Sequence, residues 1–302
     1  MKKDFLKMSD LTKDELLSIL ELAEKLKYEK KHGIPHEILK GKTLGMIFEK
    51  SSTRTRVSFE VGIYQLGGQG LFLSSKDTQL GRGEPIKDTA RVLSRYLDGI
   101  MIRTFGQEIV EELADYSSIP VINALTDYAH PCQVLADLLT IKEYKGGFEG
   151  KKMCYIGDGN NMANSLIVGG LLAGMDVSVA TPDNFKPHDN VLEFAKAYGS
   201  KFSLTNNIFD AATDADAIFT DVWSSMGMED EIEMRKVAFD GYQINEKLMS
   251  KAKKDAMVQH CLPAHRGEEI TESVFEKHAQ EIFDEAENRL HAQKAILATL
   301  MK

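Results

Sequence analysis

Phe48-Glu49-Lys50-Ser51-Ser52-Thr53-Arg54-Thr55-Arg56-Val57-Ser58-Phe59-Glu60 is the stretch from which the rest of this chain can be read. An apolar run, residues 43–48, precedes it and has the character of a buried parallel strand. An amphipathic run, residues 57–66, follows and is expected to be a helix, with Val57, Phe59, Val61 and Tyr64 among its apolar positions. The Ser/Thr/Arg cluster therefore falls on a strand-to-helix turn. Helix N–H groups, hydroxyls and guanidinium groups converge at such a place, and together they suit a phosphate-like dianion. The turn contains neither GxxxxGK[ST] nor GxGxxG, so the donors would come from side chains and not from glycine backbone alone. The competing reading is a serine N-cap, Ser51 or Ser52, followed by exposed arginines.

Outward from this turn the chain alternates. A capping box, Thr12-x-x-Glu15, opens a helix to about residue 31. Strands are expected at residues 70–73, 99–102 and 120–123, with helices at 86–97, 109–116 and from His130 to Tyr144. Residues 74–84 are polar, carry Lys76, Gln79 and Arg82, and are expected to form a mobile loop. Gly146-Gly147 interrupts the pattern, and it then restarts. Strands are expected at 152–156, 176–180, 217–220 and 257–260, helices at 163–172, 189–198 and 284–300. This order predicts an α/β protein of two open, mainly parallel-sheet domains, with ligands beyond the carboxyl ends of the strands in a cleft between them. The division expected is residues 1–145, rejoined by the C-terminal helix at 285–302, and residues 146–284.

Bulk properties narrow the function classes. The chain has 302 residues, 43% hydrophobic and 27% charged, a length that favours two domains over one. A net charge of −9 opposes a general nucleic-acid or anionic-membrane partner, and makes a few arginines at internal turns local exceptions suited to a small anion. The three cysteines, Cys132, Cys154 and Cys261, are far apart and odd in number, which fits a reducing cytoplasm better than a disulfide framework. The first ten residues lack the apolar core of a signal peptide, and no run reaches the roughly 18 apolar residues of a membrane helix.

Several further groups carry chemistry, each with a plainer alternative. Arg103 directly follows an expected strand and is either a surface arginine or a ligand for an anion or carbonyl. His130-Pro131-Cys132-Gln133 puts an imidazole at a helix start, as a cap or as a neutral donor to a carbonyl oxygen; no second ligand at helical spacing supports a metal. Gly157-Asp158-Gly159-Asn160-Asn161 lacks the third glycine of a dinucleotide fingerprint, and its asparagines suit a polar small molecule. Asp221, in Asp221-Val222-Trp223-Ser224-Ser225-Met226-Gly227, either caps a helix or holds an ammonium. His260-Cys261-Leu262-Pro263-Ala264-His265-Arg266-Gly267 invites a zinc or Cys-His nucleophile reading, but adjacent residues of an extended strand point apart. Arg289 either returns to the anion turn or pairs with nearby acids.

Together, Ser52-Thr53-Arg54-Thr55-Arg56, His130-Pro131-Cys132-Gln133, the Asp221–Gly227 run and His260-Cys261-Leu262-Pro263 resemble the aspartate/ornithine carbamoyltransferase family over essentially the whole chain, with the last two runs marking its ornithine branch. Serine at position 224, often apolar in that family, leaves the flanking motif intact. The resemblance implies transfer of a carbamoyl group from carbamoyl phosphate to the δ-amine of L-ornithine, giving L-citrulline and phosphate, within arginine metabolism. It implies that Ser52, Thr53, Arg54, Thr55, Arg103, His130, Gln133, Cys261, Leu262 and Arg289 bind carbamoyl phosphate, with Gln79 supplied by a neighbouring subunit. It implies that Asn161, Asp221, Ser225 and Met226 bind ornithine, and that Arg103, His130, Asp221 and Cys261 are catalytic. No metal and no cofactor is expected, nor any nucleic-acid or membrane partner; a homotrimer, or a multiple of trimers with shared sites, is. Three rivals stand beside it: a carbamoyltransferase for another amine such as putrescine, a nucleotide-binding Rossmann-type oxidoreductase, and a catalytically silent binding subunit.

Overall fold

The computed structural model describes residues 3–77, 83–224 and 229–302. Its chain divides into two compact units, Met1–Leu139 with Glu287–Lys302, and Thr140–Ala286. The boundaries fall inside two helices, Pro131–Lys145 and Ala279–Met301.

The first unit holds a parallel sheet of β1 (Thr43–Phe48), β2 (Gln69–Ser74), β3 (Gly99–Arg103) and β4 (Val121–Leu125), in the order β2-β1-β3-β4. β1 and β3 are buried almost throughout, which is why they read as continuous apolar runs. Phe5 continues the sheet past β4, its amide donating to Val121 O and its carbonyl accepting from Asn123 N.

The second unit holds β5 (Lys152–Ile156), β6 (Asp176–Ala180), β7 (Phe202–Thr205), β8 (Ala217–Thr220) and β9 (Met257–His260), all parallel, in the order β7-β6-β5-β8-β9. β9 is an edge strand, and unpaired edge amides invite aggregation. Here Glu281 and Glu285, one helical turn apart, accept from Val258 N and His260 N at 2.8 Å each and close that edge. β7 escaped the sequence reading because it is a short, half-exposed edge strand with no buried run.

Both sheets have a position where the strand order reverses: between β1 and β3, and between β5 and β8. Crevices open beyond the carboxyl ends of strands at such switch points. The turn Glu49–Ser52 and Arg103–Thr104 flank the first; Gly157–Asn160 and Asp221 flank the second.

One helix departs from expectation. In Thr53–Gln65 the buried side is Thr55, Phe59, Gly62 and Ile63, whereas Val57, Val61 and Tyr64, expected with Phe59 among its apolar positions, are exposed. With Leu71 and Phe72 of β2 they leave apolar surface uncovered on this unit. Among the described residues, no helix is long and apolar enough to cross a membrane.

Candidate active site

In the first unit, Ser52 is the N-cap of helix Thr53–Gln65, its hydroxyl accepting from Thr55 N at 3.2 Å. The capping reading of this turn is thus realised in part. The second half of that reading, exposed arginines, holds only for Arg56, which pairs with Glu60 at 3.3 Å and lies 3.8 Å from the Phe72 ring centre. Arg54 is half-buried, and its charge is among those that lower the pKa of His130. The β1–β3 register places Phe48 opposite Arg103, and a register shift at Ile102/Arg103 re-aims the strand end. Glu49 N donates to Arg103 O at 2.9 Å, so the anion turn and Arg103 are tied by backbone. Lys50 of the turn is itself buried and paired with Asp127.

Arg289 arrives from the final helix, 3% exposed, and its Nη2 donates to Thr55 Oγ1 at 2.8 Å. His130 is 4% exposed, and its carbonyl accepts from Val134 N as that of an N-cap does. Its ring faces cations: burial first, then Arg289, Arg103 and Arg54, hold its pKa well below the usual imidazole range. Gln133, one turn on, is fully buried and donates to Asp137 Oδ1 at 2.7 Å. A neutral imidazole among three guanidiniums can donate to a carbonyl oxygen without adding another positive charge, while the arginines meet a dianion.

The pH consequence follows from the sign of that shift. The unfolded chain protonates this histidine near pH ~6.5, while the folded protein does not. Its contribution to stability is therefore complete above pH ~6.5 and is lost as pH falls, at up to about 1.4 kcal/mol per pH unit. His291, lowered to about 4 by burial and the nearby Lys294, acts in the same sense. His130→Gln should flatten the fall of the urea midpoint between about pH 7 and about pH 5.5 by roughly one proton's worth. An unaltered slope would contradict a neutral, buried His130.

In the second unit, Asp221 follows β8 and is 7% exposed. Its Oδ2 accepts from Asn160 Nδ2 at 3.0 Å, and its Oδ1 from Cys261 Sγ at 3.2 Å and from Val222 N at 2.8 Å. Asn160 is also the N-cap of helix Asn161–Ala173, accepting from Met162 N and Ala163 N. Asn161 is that helix's first residue and is half-buried. Gly159 is required by close approach: a Cβ there would lie 2.3 Å from Pro187 N and from the Lys186 carbonyl carbon. Leu262 adopts φ +60°, with its amide donating to His260 Nδ1 at 2.9 Å. That contact leaves the proton of a neutral His260 on Nε2, which faces Glu269 Oε1 at 3.1 Å. Asp221, His260 and Cys261 lie close enough for a metal to be considered, but both nitrogens of His260 are engaged. Gln79, Ser225 and Met226 lie outside the described residues.

Residues 3–143 match the family domain described as "Aspartate/ornithine carbamoyltransferase, carbamoyl-P binding domain", and residues 149–300 match its "Asp/Orn binding domain". The chain belongs to the aspartate/ornithine carbamoyltransferase family. Among family members, the ornithine carbamoyltransferase of Oceanobacillus iheyensis is 59% identical, over 99% of this chain and 94% of that protein. That of Syntrophotalea carbinolica is 58% identical over the full length of both. The solved structure of ornithine carbamoyltransferase from Pyrococcus furiosus superposes with a TM-score of 0.94 at 51% identity, covering 99% of this chain and 96% of that one.

Sequence reading missed Arg235 of this family member's second unit, and missed the partners of Asn160 and Asp158, which it had noted only as part of a polar turn. Asn160, not only its neighbour, reaches Asp221. Arg235 is buried, pairs with Asp158 at 2.7 Å, and donates to Trp223 O at 3.0 Å, holding the chain just before the Ser225–Gly227 run. Asp158 is pushed up to about 6, chiefly by burial and against the pull of Arg235. The positions are 77 residues apart, and nothing local announces the pair.

Cysteine chemistry separates the three thiols. Cys132 and Cys154 are buried, and burial pushes each up to about 12; Cys261 is partly exposed. At neutral pH a buried, protonated thiol is inert. Iodoacetamide should therefore alkylate Cys261 first in the folded protein, with activity lost in step, as peptide mapping would show. Equal labelling of Cys132 or Cys154 would count against this.

Proposed function

We propose that this protein transfers the carbamoyl group of carbamoyl phosphate to the δ-amine of L-ornithine, releasing L-citrulline and phosphate. One observation carries the proposal: a buried, neutral His130 faced by Arg54, Arg103 and Arg289 beside a Ser52-capped helix start. The first unit, taken as residues 1–145 with the C-terminal helix at 285–302, holds carbamoyl phosphate; residues 146–284 hold ornithine. Ser52, Thr53, Arg54, Thr55 and Arg289 take the phosphate. Arg103, His130 and Gln133 take the carbonyl end, with Cys261 and Leu262 against the carbamoyl group. Asn161, Asp221, Ser225 and Met226 take ornithine.

The neutral δ-amine attacks the carbamoyl carbon. The new C–N bond forms as the C–O bond to phosphate breaks, phosphate leaves with the electron pair, and the proton lost by the amine nitrogen ends on that phosphate, which is released as hydrogen phosphate. Negative charge grows on the carbonyl oxygen and on the departing phosphate, where pre-aimed donors stabilise it most. Asp221, with Cys261 hydrogen-bonded to it, orients the amine. The similar proteins of Oceanobacillus iheyensis and Syntrophotalea carbinolica, both ornithine carbamoyltransferases, support ornithine as the acceptor. The deciding assay is citrulline formation with ornithine, putrescine and aspartate side by side. Turnover of putrescine above ornithine would favour the first rival, and absence of any carbamoyl transfer would end the proposal.

The same proposal includes a homotrimer in the reducing cytoplasm, with Gln79 completing a neighbour's site. The exposed face of Val57, Val61, Tyr64, Leu71 and Phe72 supports an interface, and three cysteines outside any disulfide support the compartment. Light scattering should give a trimer that Val61→Asp weakens. Mixing inactive Gln79→Ala and Arg103→Met proteins should restore part of the activity, since some sites would then draw both residues intact.

A further inference from the structure

The final helix touches helix Thr53–Gln65 at both ends. At the near end Arg289 Nη2 meets Thr55 Oγ1 at 2.8 Å. At the far end Lys294 Nζ donates to Gln65 Oε1 at 3.1 Å, to Leu26 O at 3.3 Å and to His36 Nε2 at 3.2 Å. His36 is able to accept because its Nδ1 lies 3.0 Å from Ile34 O, an oxygen that only accepts, which fixes the ring proton on Nδ1. Between the two ends sits Gly62, where an added Cβ would meet Lys294 Cγ at 3.4 Å and Leu290 Cδ1 at 3.6 Å. Lys294 is 0% exposed. An ammonium so buried is costly to keep unless its hydrogen bonds matter to the arrangement around it.

We propose that Lys294 is a positioning residue for the phosphate cradle: it anchors the C-terminal end of helix Thr53–Gln65 to the final helix and thereby holds Thr55 and Arg289 within reach of each other. This rests on the function proposed above. Three acceptors for the Lys294 ammonium, on helix Lys13–Lys31, the His36 segment and Gln65, define one register of the two helices. An apolar side chain of the same length would fill the space and leave that register unspecified. A helix free to slide or tilt displaces Ser52, Thr53, Arg54 and Thr55 together, and small misplacements at a reacting site are expensive.

Steady-state kinetics of Lys294→Met and Gln65→Leu test this. Lys294→Met should raise KM for carbamoyl phosphate about tenfold, with KM for ornithine and kcat within about twofold of the parent. Gln65→Leu should move the same constant in the same direction, and Gln65→Glu, which keeps an acceptor for Lys294, should restore it. In a cycle with Thr55→Val, the penalties on carbamoyl phosphate binding should fail to multiply, because both changes act on one contact. A wild-type protein that forms citrulline, beside a Lys294→Met protein with an unchanged carbamoyl phosphate KM or with fully multiplying penalties, would overturn the role of Lys294 and leave the activity standing. Absence of citrulline from the wild type would instead overturn the activity.

Discussion

Arg103→Met should lower kcat by about two to three orders of magnitude while the protein stays folded. Losing one pre-aimed donor to a developing oxyanion raises the barrier by about 2.7–4 kcal/mol. Arg103 is placed for that role by construction: it ends β3 at the switch point, opposite Phe48 in β1, and is only 7% exposed. Stability should change little, because the arginine shares its surroundings with Arg54 and Arg289, and removing one of three like charges offsets part of the lost contacts. The same substitution should let the pKa of His130 rise, since Arg103 is one of the charges holding it down. Arg103→Lys should recover only part of the rate, because a point charge lacks the planar fork of a guanidinium. A kcat within threefold of wild type, or a His130 that titrates as before, would remove Arg103 from the chemistry.

Asp221→Asn should leave carbamoyl phosphate binding intact and weaken ornithine. A hydrogen bond to a charged group contributes about 1.5–3 kcal/mol, so KM for ornithine should rise by roughly one to two orders of magnitude. The carboxylate also organises its own surroundings, taking Cys261 on one oxygen and Asn160 on the other. An amide at this position turns one acceptor into a donor facing another amide or a thiol, so Cys261 should also become more mobile and more quickly alkylated. Inhibition by inorganic phosphate reports the other unit and should not move. An unaltered ornithine KM would exclude Asp221 as the group that holds the ornithine amine.

Much of this architecture was legible in one dimension because β1, β3, β5, β6 and β8 are buried on both faces and therefore appear as short apolar runs. Polar turns after those runs marked the strand ends. What failed to show were elements stabilised by position and not by composition. β7 is a half-exposed edge strand, and the short helix Ile232–Ala238 is held by Arg235 through Asp158 and Glu231. Helix Thr53–Gln65 has apolar residues on more than one side, so periodicity could not say that Phe59 would be buried and Val57 exposed.

The division between the two kinds of information has a physical origin. Taken alone, the sequence determined which residues stand at strand ends and helix starts, because burial and capping act over a few neighbouring residues. It placed Ser52, Arg103, Asn160 and Asp221 at such points without saying which would face one another. Only the tertiary structure decided that β1 lies beside β3 and β5 beside β8, that Arg54 and Arg56 part company, and that Arg289 reaches Thr55 across 234 residues. Strand order and side-chain direction are settled by packing between segments remote in the chain, and no local pattern of residue types carries that information.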